Sequence, residues 1–248
     1  MGKSNQSTQE INSQAQNPLG TAPVGGLIAK FAIPAIISML VSAMYNIVDQ
    51  IFIGQGVGML GNAATNVAFP VTTIATALAL LLGIGGASNY NLEMGAGQEK
   101  KASGIAGTAL SSLVISGLIL AVIALVFLKP LLTLFGATTD VMPYAVDYTG
   151  ITALGLPFYI LSVGGNHVVR ADRSPTYSMT CIMIGAIINT ILDPVFIFVF
   201  GWGIKGAAWA TVIGQVVSGV LVIVYFWKFR NMYLTGACLL YTSDAADD

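Results

Sequence analysis

Beyond residue 23 the chain alternates long apolar runs with short polar breaks. Six runs, 27–54, 64–90, 102–128, 141–168, 176–200 and 206–229, each supply the roughly 20 residues that an α-helix needs to cross a bilayer core. The pattern predicts an all-α polytopic membrane protein, a six-transmembrane-helix bundle whose short connections impose up-and-down order. Pro34, Pro70, Pro157 and Pro194 fall inside the runs. Membrane helices tolerate such residues because neighbouring helices re-satisfy the freed backbone groups. Residues 1–23 are rich in Gln, Ser and Asn and lack an apolar core, so they read as a disordered cytoplasmic leader and not as a signal peptide.

Two acids break the apolar pattern. Asp49 closes the first run and Asp193 lies within the fifth, with no basic residue near either in sequence. An ionisable side chain at bilayer depth costs about 3 kcal/mol or more, so it persists where it lines a cavity, finds a partner or carries a cation. Asn189 precedes Asp193 by one helical turn and shares its face. Thr211 comes early in the sixth run. Lys3, Lys30, Lys100, Lys101, Arg170, Arg173, Lys228 and Arg230 fall on the side of the N-terminus, against Lys129 and Lys205 on the other. That asymmetry predicts a multi-pass protein of the cell membrane with both ends in the cytoplasm. Asp49, Asn189, Asp193 and Thr211 then share one depth, in the outer half of the bundle.

Composition supports the membrane reading. Only 8% of the 248 residues are charged and 55% are apolar, with a mean hydropathy of +0.79, whereas about 25% charge is usual for soluble domains. A net charge of −1 without a basic cluster leaves no footprint for nucleic acid. Cys181 and Cys238 have no evident partner, so neither a disulfide nor a cysteine metal site is expected. Gly56-Val-Gly-Met-Leu-Gly61 fits a dinucleotide fingerprint but lacks the acid that should follow about 20 residues later, and reads as a flexible loop. The lone His167 reads as a solvated boundary residue. No nucleophile–base pair or metal cluster suggests an enzyme. Gly104, Gly107, Gly185 and Gly214 are candidates for close helix approach.

Several segments resemble the multidrug and toxic compound extrusion (MATE) antiporters. Asn189-Thr-Ile-Leu-Asp-Pro-Val-Phe-Ile-Phe198 is similar to the fifth-helix signature of that family, and Val169-Arg-Ala-Asp-Arg-Ser-Pro175 to its R-A-x-G-x-P element. Gly83-Ile-Gly-Gly-Ala-Ser88 with Gly95-Ala-Gly97, and Ile33-Pro-Ala-Ile36 with Tyr45-Asn-Ile-Val-Asp49, look like family segments of the second and first helices. Arg173 departs from the pattern where Gly is usual, and Asn91-Leu-Glu93 replaces an Arg-containing stretch.

The resemblance covers 24–230 and implies the N-terminal lobe of a twelve-helix transporter. Residues 231–248 match no part of the family pattern and read as artefactual read-through at the end of a truncated fragment. The implied function is cation-coupled antiport, H⁺ or Na⁺, exporting amphipathic or cationic organic compounds. The resemblance places the cation or proton site at Asp49, Asn189, Asp193 and Thr211. The residue chemistry agrees: neighbouring buried acids can hold one proton between them, and the four side chains offer hard oxygens to Na⁺. No cofactor is expected beyond the coupling ion. The expected partners are a small-molecule substrate, membrane lipid and a missing C-terminal lobe of the same polypeptide. Alternatives are a lipid-linked saccharide flippase of the same superfamily, which usually needs buried basic residues, and a genuine six-helix half-transporter acting as a homodimer.

Overall fold

The structure is a computed structural model that describes residues 24–230. The expectations for the leader, for the tail and for Cys238 lie outside the described residues. Those described are helical and contain no strand. The helices are α1 (Val24–Gly56), α2 (Met59–Gly95), α3 (Glu99–Val126), α4 (Leu128–Leu134), α5 (Met142–Ala171), α6 (Pro175–Pro194) and α7 (Ile204–Arg230). A π-helical turn, Val195–Val199, continues α6. With that turn included in α6, all but the short α4 are long and apolar enough to cross a membrane, giving six spans.

Three local expectations need correction. The glycine-rich stretch Gly56–Gly61 is not a loop: α1 ends at Gly56 and α2 begins at Met59. Gly58 makes the reversal possible by adopting φ 86°, a conformation that costs a residue without Cβ little. The run ending near residue 128 is followed by the extra helix α4, whose Leu132 packs with Ala64, Val141 and Ala145 under the connection. The fifth run is not uniformly α-helical, because the turn after Pro194 widens to π geometry.

α5 is the centre of the bundle, packed against α2, α3 and α7, while α6 joins α7 and α1 leans mainly on α6. Alanine supplies much of its surround, including Ala75, Ala79, Ala106, Ala109 and Ala121. Small side chains let helix backbones approach closely where lipid gives no hydrophobic drive for association. A Cβ on Gly83 of α2 would lie 2.5 Å from both Cα and O of Gly164 in α5. Gly185 of α6 and Gly214 of α7 meet in the same way, an added Cβ coming within 2.9 and 2.8 Å of the opposite carbonyl oxygen. Gly104 does not belong with them, since nothing lies within 4 Å of its added Cβ.

The departure at Arg173 acquires a physical meaning. Arg173 has φ 60°, and it is the non-glycine residue with positive φ among those described. A left-handed backbone at a residue with Cβ costs about 1–2 kcal/mol, which explains why glycine suits this place in the turn.

Two expected outcomes follow from this packing. Gly83→Ala lowers stability by about 1–3 kcal/mol through backbone overpacking, while Gly104→Ala is neutral or stabilising; melting temperatures in detergent compare the two. Arg173→Gly raises stability by about 0.5–1 kcal/mol, the relief of strain being partly offset by the greater freedom of the unfolded chain.

Candidate cation site

Three helices bring the four polar residues singled out from the sequence to one place. Asp49 of α1 is 7% exposed and Asp193 of α6 is fully buried. The two carboxyl groups are near enough for each to act on the other's charge. Carboxylates only accept hydrogen bonds, so a direct contact requires a proton on one of them. Asn189 Nδ2, one turn back along α6, donates to Asp193 Oδ1 at 3.5 Å and to Thr211 Oγ1 of α7 at 3.4 Å. Both contacts are long for an N–H···O bond and hold the amide loosely. The bare backbone of Gly214 permits this approach, since an added Cβ would lie 3.2 Å from that of Asn189.

The site is rich in oxygen acceptors and poor in donors. Asp49 Oδ1, Asn189 Oδ1 and Asp193 Oδ2 are buried without a hydrogen-bond partner. Each such atom forfeits about 1–3 kcal/mol unless something positive meets it. No basic side chain does so among the described residues, where the ion pair present is the exposed Lys205–Asp147 contact at 3.4 Å. The donor set fits a proton or a hard monovalent cation.

Asp49, Asn189 and Thr211 line a cavity of about 760 Å³ running along the inside of the bundle, and Asp193 is buried behind them. Its walls carry hydroxyls and amides at helical spacing: Thr65, Thr72 and Thr76 on α2, and Thr149, Thr152, Tyr159, Ser162 and Asn166 on α5. Side-chain contacts cross the helix seams, with Thr65 Oγ1 donating to Gln50 Oε1 at 3.1 Å. The hydroxyls of Thr76 and Tyr159 lie 2.8 Å apart, and those of Ser162 and Ser218 lie 2.6 Å apart. In the other direction the site is closed. Ile53, Ile197, Ile204 and Ala207 form a buried apolar cluster. Ile53 follows Asp49 by one turn, Ile197 follows Asp193, and Ala207 precedes Thr211, so each site helix contributes to the seal.

Several wall residues carry no obvious mark in the sequence. Tyr45 stands one turn before Asp49, and Tyr148 lies beside Thr211, both lining the cavity. Their signal is present as polar residues recurring every three or four positions, on α1 as Ser38, Ser42, Tyr45 and Asp49. Two boundary residues also belong to the wall. His167, at the boundary, is half-buried and lines the cavity, and Arg170, counted from sequence among loop cations, joins it on the wall. Both positions lie in the last turns of α5, whose cavity face continues to its end.

Comparison with known proteins gives this arrangement a family. The MatE family model matches residues 34–195. Multidrug export protein MepA of Staphylococcus haemolyticus is 31% identical over 79% of this chain and 43% of its own length. An FAD transporter of Shewanella oneidensis is 33% identical over 82% of this chain and 47% of its own length. A solved structure of the MATE multidrug transporter DinF-BH superposes with a TM-score of 0.78 at 37% identity, covering 84% of this chain and 46% of that one. The chain therefore spans about half the length of the relatives it matches. Its six spans make it a multi-pass membrane protein, and the chain belongs to the MATE family.

Proposed function

We propose that the chain is the N-terminal lobe of a cation-coupled exporter. Asp49, Asn189, Asp193 and Thr211 hold the coupling ion, H⁺ or Na⁺, and the lobe moves amphipathic or cationic organic compounds out of the cytoplasm. The observation that carries this reading is the buried acid pair, with unpartnered oxygens and no cationic side chain paired with it among the described residues, at the sealed end of a polar cavity. The activities that the relatives are named for, multidrug export and FAD transport, favour export of organic solutes. Coverage of about half of those relatives favours a second lobe as the partner that completes the substrate cavity. The excess of basic residues at the α2–α3 and α5–α6 connections favours a cytoplasmic location for that end of the bundle.

The chemistry needed from the lobe is modest. With the site empty of cation, two carboxyls share one proton or repel each other; with a cation present, both can ionise around it. Asn189, held by two long contacts, is free to turn its amide oxygen toward the bound charge, and Thr211 offers its lone pairs once released from Asn189. Such rearrangement on α6 and α7 alters the packing of Ile197 and Ala207 directly above, which links ion occupancy to the apolar seal.

Sodium coupling gives a direct expectation for the purified chain. Replacing choline by Na⁺ at constant ionic strength raises the melting temperature, corresponding to about 1.4 kcal/mol when Na⁺ is at ten times its Kd. Asp193→Asn abolishes the response. Proton coupling instead leaves the chain indifferent to Na⁺ and places a protonated carboxyl band in its infrared spectrum that Asp193→Asn removes. If neither signal is present, the cation reading is wrong. In a complete two-lobe transporter carrying this lobe, Asp193→Asn cuts ion-driven efflux by roughly ten-fold or more, the equivalent of about 1.4 kcal/mol; unchanged efflux would reject the site.

A further inference from the structure

The cavity has a second chemically distinct end. Arg170 and His167 line it in the last turns of α5, together with Asn166, which is 2% exposed. Arg170 Nε donates to Ser178 Oγ of α6 at 3.0 Å, and Ser178 is fully buried. That contact fixes one edge of the guanidinium, while the group has five N–H donors in all. Among the described residues no carboxylate lies within ion-pair distance of Arg170. The acid nearest in sequence, Asp172, accepts hydrogen bonds from Tyr90 of α2 and from Tyr225 of α7, the latter at 2.6 Å. Part of the reason for an Arg here is ordinary: a cation in the last turn of a helix complements the helix dipole. That explanation requires no cavity, whereas this side chain reaches one and is anchored there by a buried serine.

From this geometry we infer that Arg170, with His167 beside it, forms a subsite for the anionic group, phosphate or carboxylate, of an amphipathic molecule occupying the cavity. A guanidinium fork matches the paired oxygens of either group, and Arg is less strongly hydrated than Lys, which suits a half-buried place. The walls between this end and the acid pair alternate hydroxyls with apolar side chains such as Leu156, Val163 and Ile182. The cavity is thus polarised, acidic at the sealed end and basic at the other, and takes a molecule with an apolar body and a negative head at the Arg170 end. This inference rests on the proposed transport role only in treating the cavity as open to organic molecules. It narrows the substrate class, within the amphipathic compounds proposed above, to amphiphiles with an anionic or zwitterionic head.

The full chain in a neutral maltoside detergent, titrated with dodecyl phosphate at constant ionic strength, tests the subsite. Saturable binding is expected, weakened roughly ten-fold or more by Arg170→Gln. Arg170→Lys keeps the charge but loses the fork and falls between, which serves if the glutamine variant does not fold. Lys205→Gln removes a cation at the opposite end of the bundle and leaves binding unchanged. Competition by inorganic phosphate identifies a soluble anion as a sufficient ligand. Competition by phosphatidylglycerol, but not phosphatidylcholine, in nanodiscs identifies a lipid headgroup, and either result supports the subsite. Equal affinity in wild type and folded Arg170 variants, or no saturable binding, overturns it. The Na⁺ or infrared response of Asp193 is read separately in Arg170→Gln, so failure of the cation site and failure of the anion subsite are told apart.

Discussion

Two carboxyl groups, one completely buried and the other nearly so, stand close together inside an apolar bundle, and no cationic side chain among the described residues neutralises them. In a low-dielectric interior that pairing is unfavourable unless a proton or cation joins it. Most features near the site answer this constraint. Asn189 and Thr211 bring further oxygens to the acids, the hydroxyl-lined cavity gives them polar surroundings on one side, and the Ile53–Ile197–Ile204–Ala207 cluster closes the other.

The constraint is met only because the helices approach closely. Gly185 and Gly214 place α6 and α7 backbone to backbone, and that contact is what sets Asn189 against Thr211. Gly83 and Gly164 do the same for α2 and α5, behind the threonine and serine lining. Small residues on the seams and polar ones on the cavity face therefore serve one arrangement: the bundle is tight where helices cross and open where the cavity runs. The π turn after Pro194 belongs to it as well, for it carries Ile197 into the seal directly beyond Asp193.

The far end of the cavity is built on different chemistry. Tyr90 and Tyr225 bind the Asp172 carboxylate, drawing the ends of α2, α5 and α7 together. Arg170, two residues earlier, turns instead to Ser178 and the cavity wall. Opposite polarity at the two ends of one cavity is a property of the assembled bundle: α1, α6 and α7 meet at the acid end, while α5 supplies Arg170 and His167 at the other, with Arg170 anchored by Ser178 of α6.

Much of this was legible in the chain alone. Runs of about 20 apolar residues announce spans because hydrocarbon demands internal backbone hydrogen bonding and a fixed length. Asp49 and Asp193 announce a site because charge in such runs is costly, and the four-residue spacing of Asn189 and Asp193 sets them on one helical face. Depth along the spans set Asp49 and Thr211 level with that face, and the family resemblance assigned all four to one cation site. What sequence periodicity does not contain is the rotation and distance of one helix relative to another. Those depend on side-chain volumes from several helices at once, so tertiary packing alone decided that Gly185 meets Gly214 while Gly104 meets nothing. For the same reason it decided that His167 and Arg170 turn inward, and that the tyrosines and threonines scattered along α1, α2 and α5 share one wall.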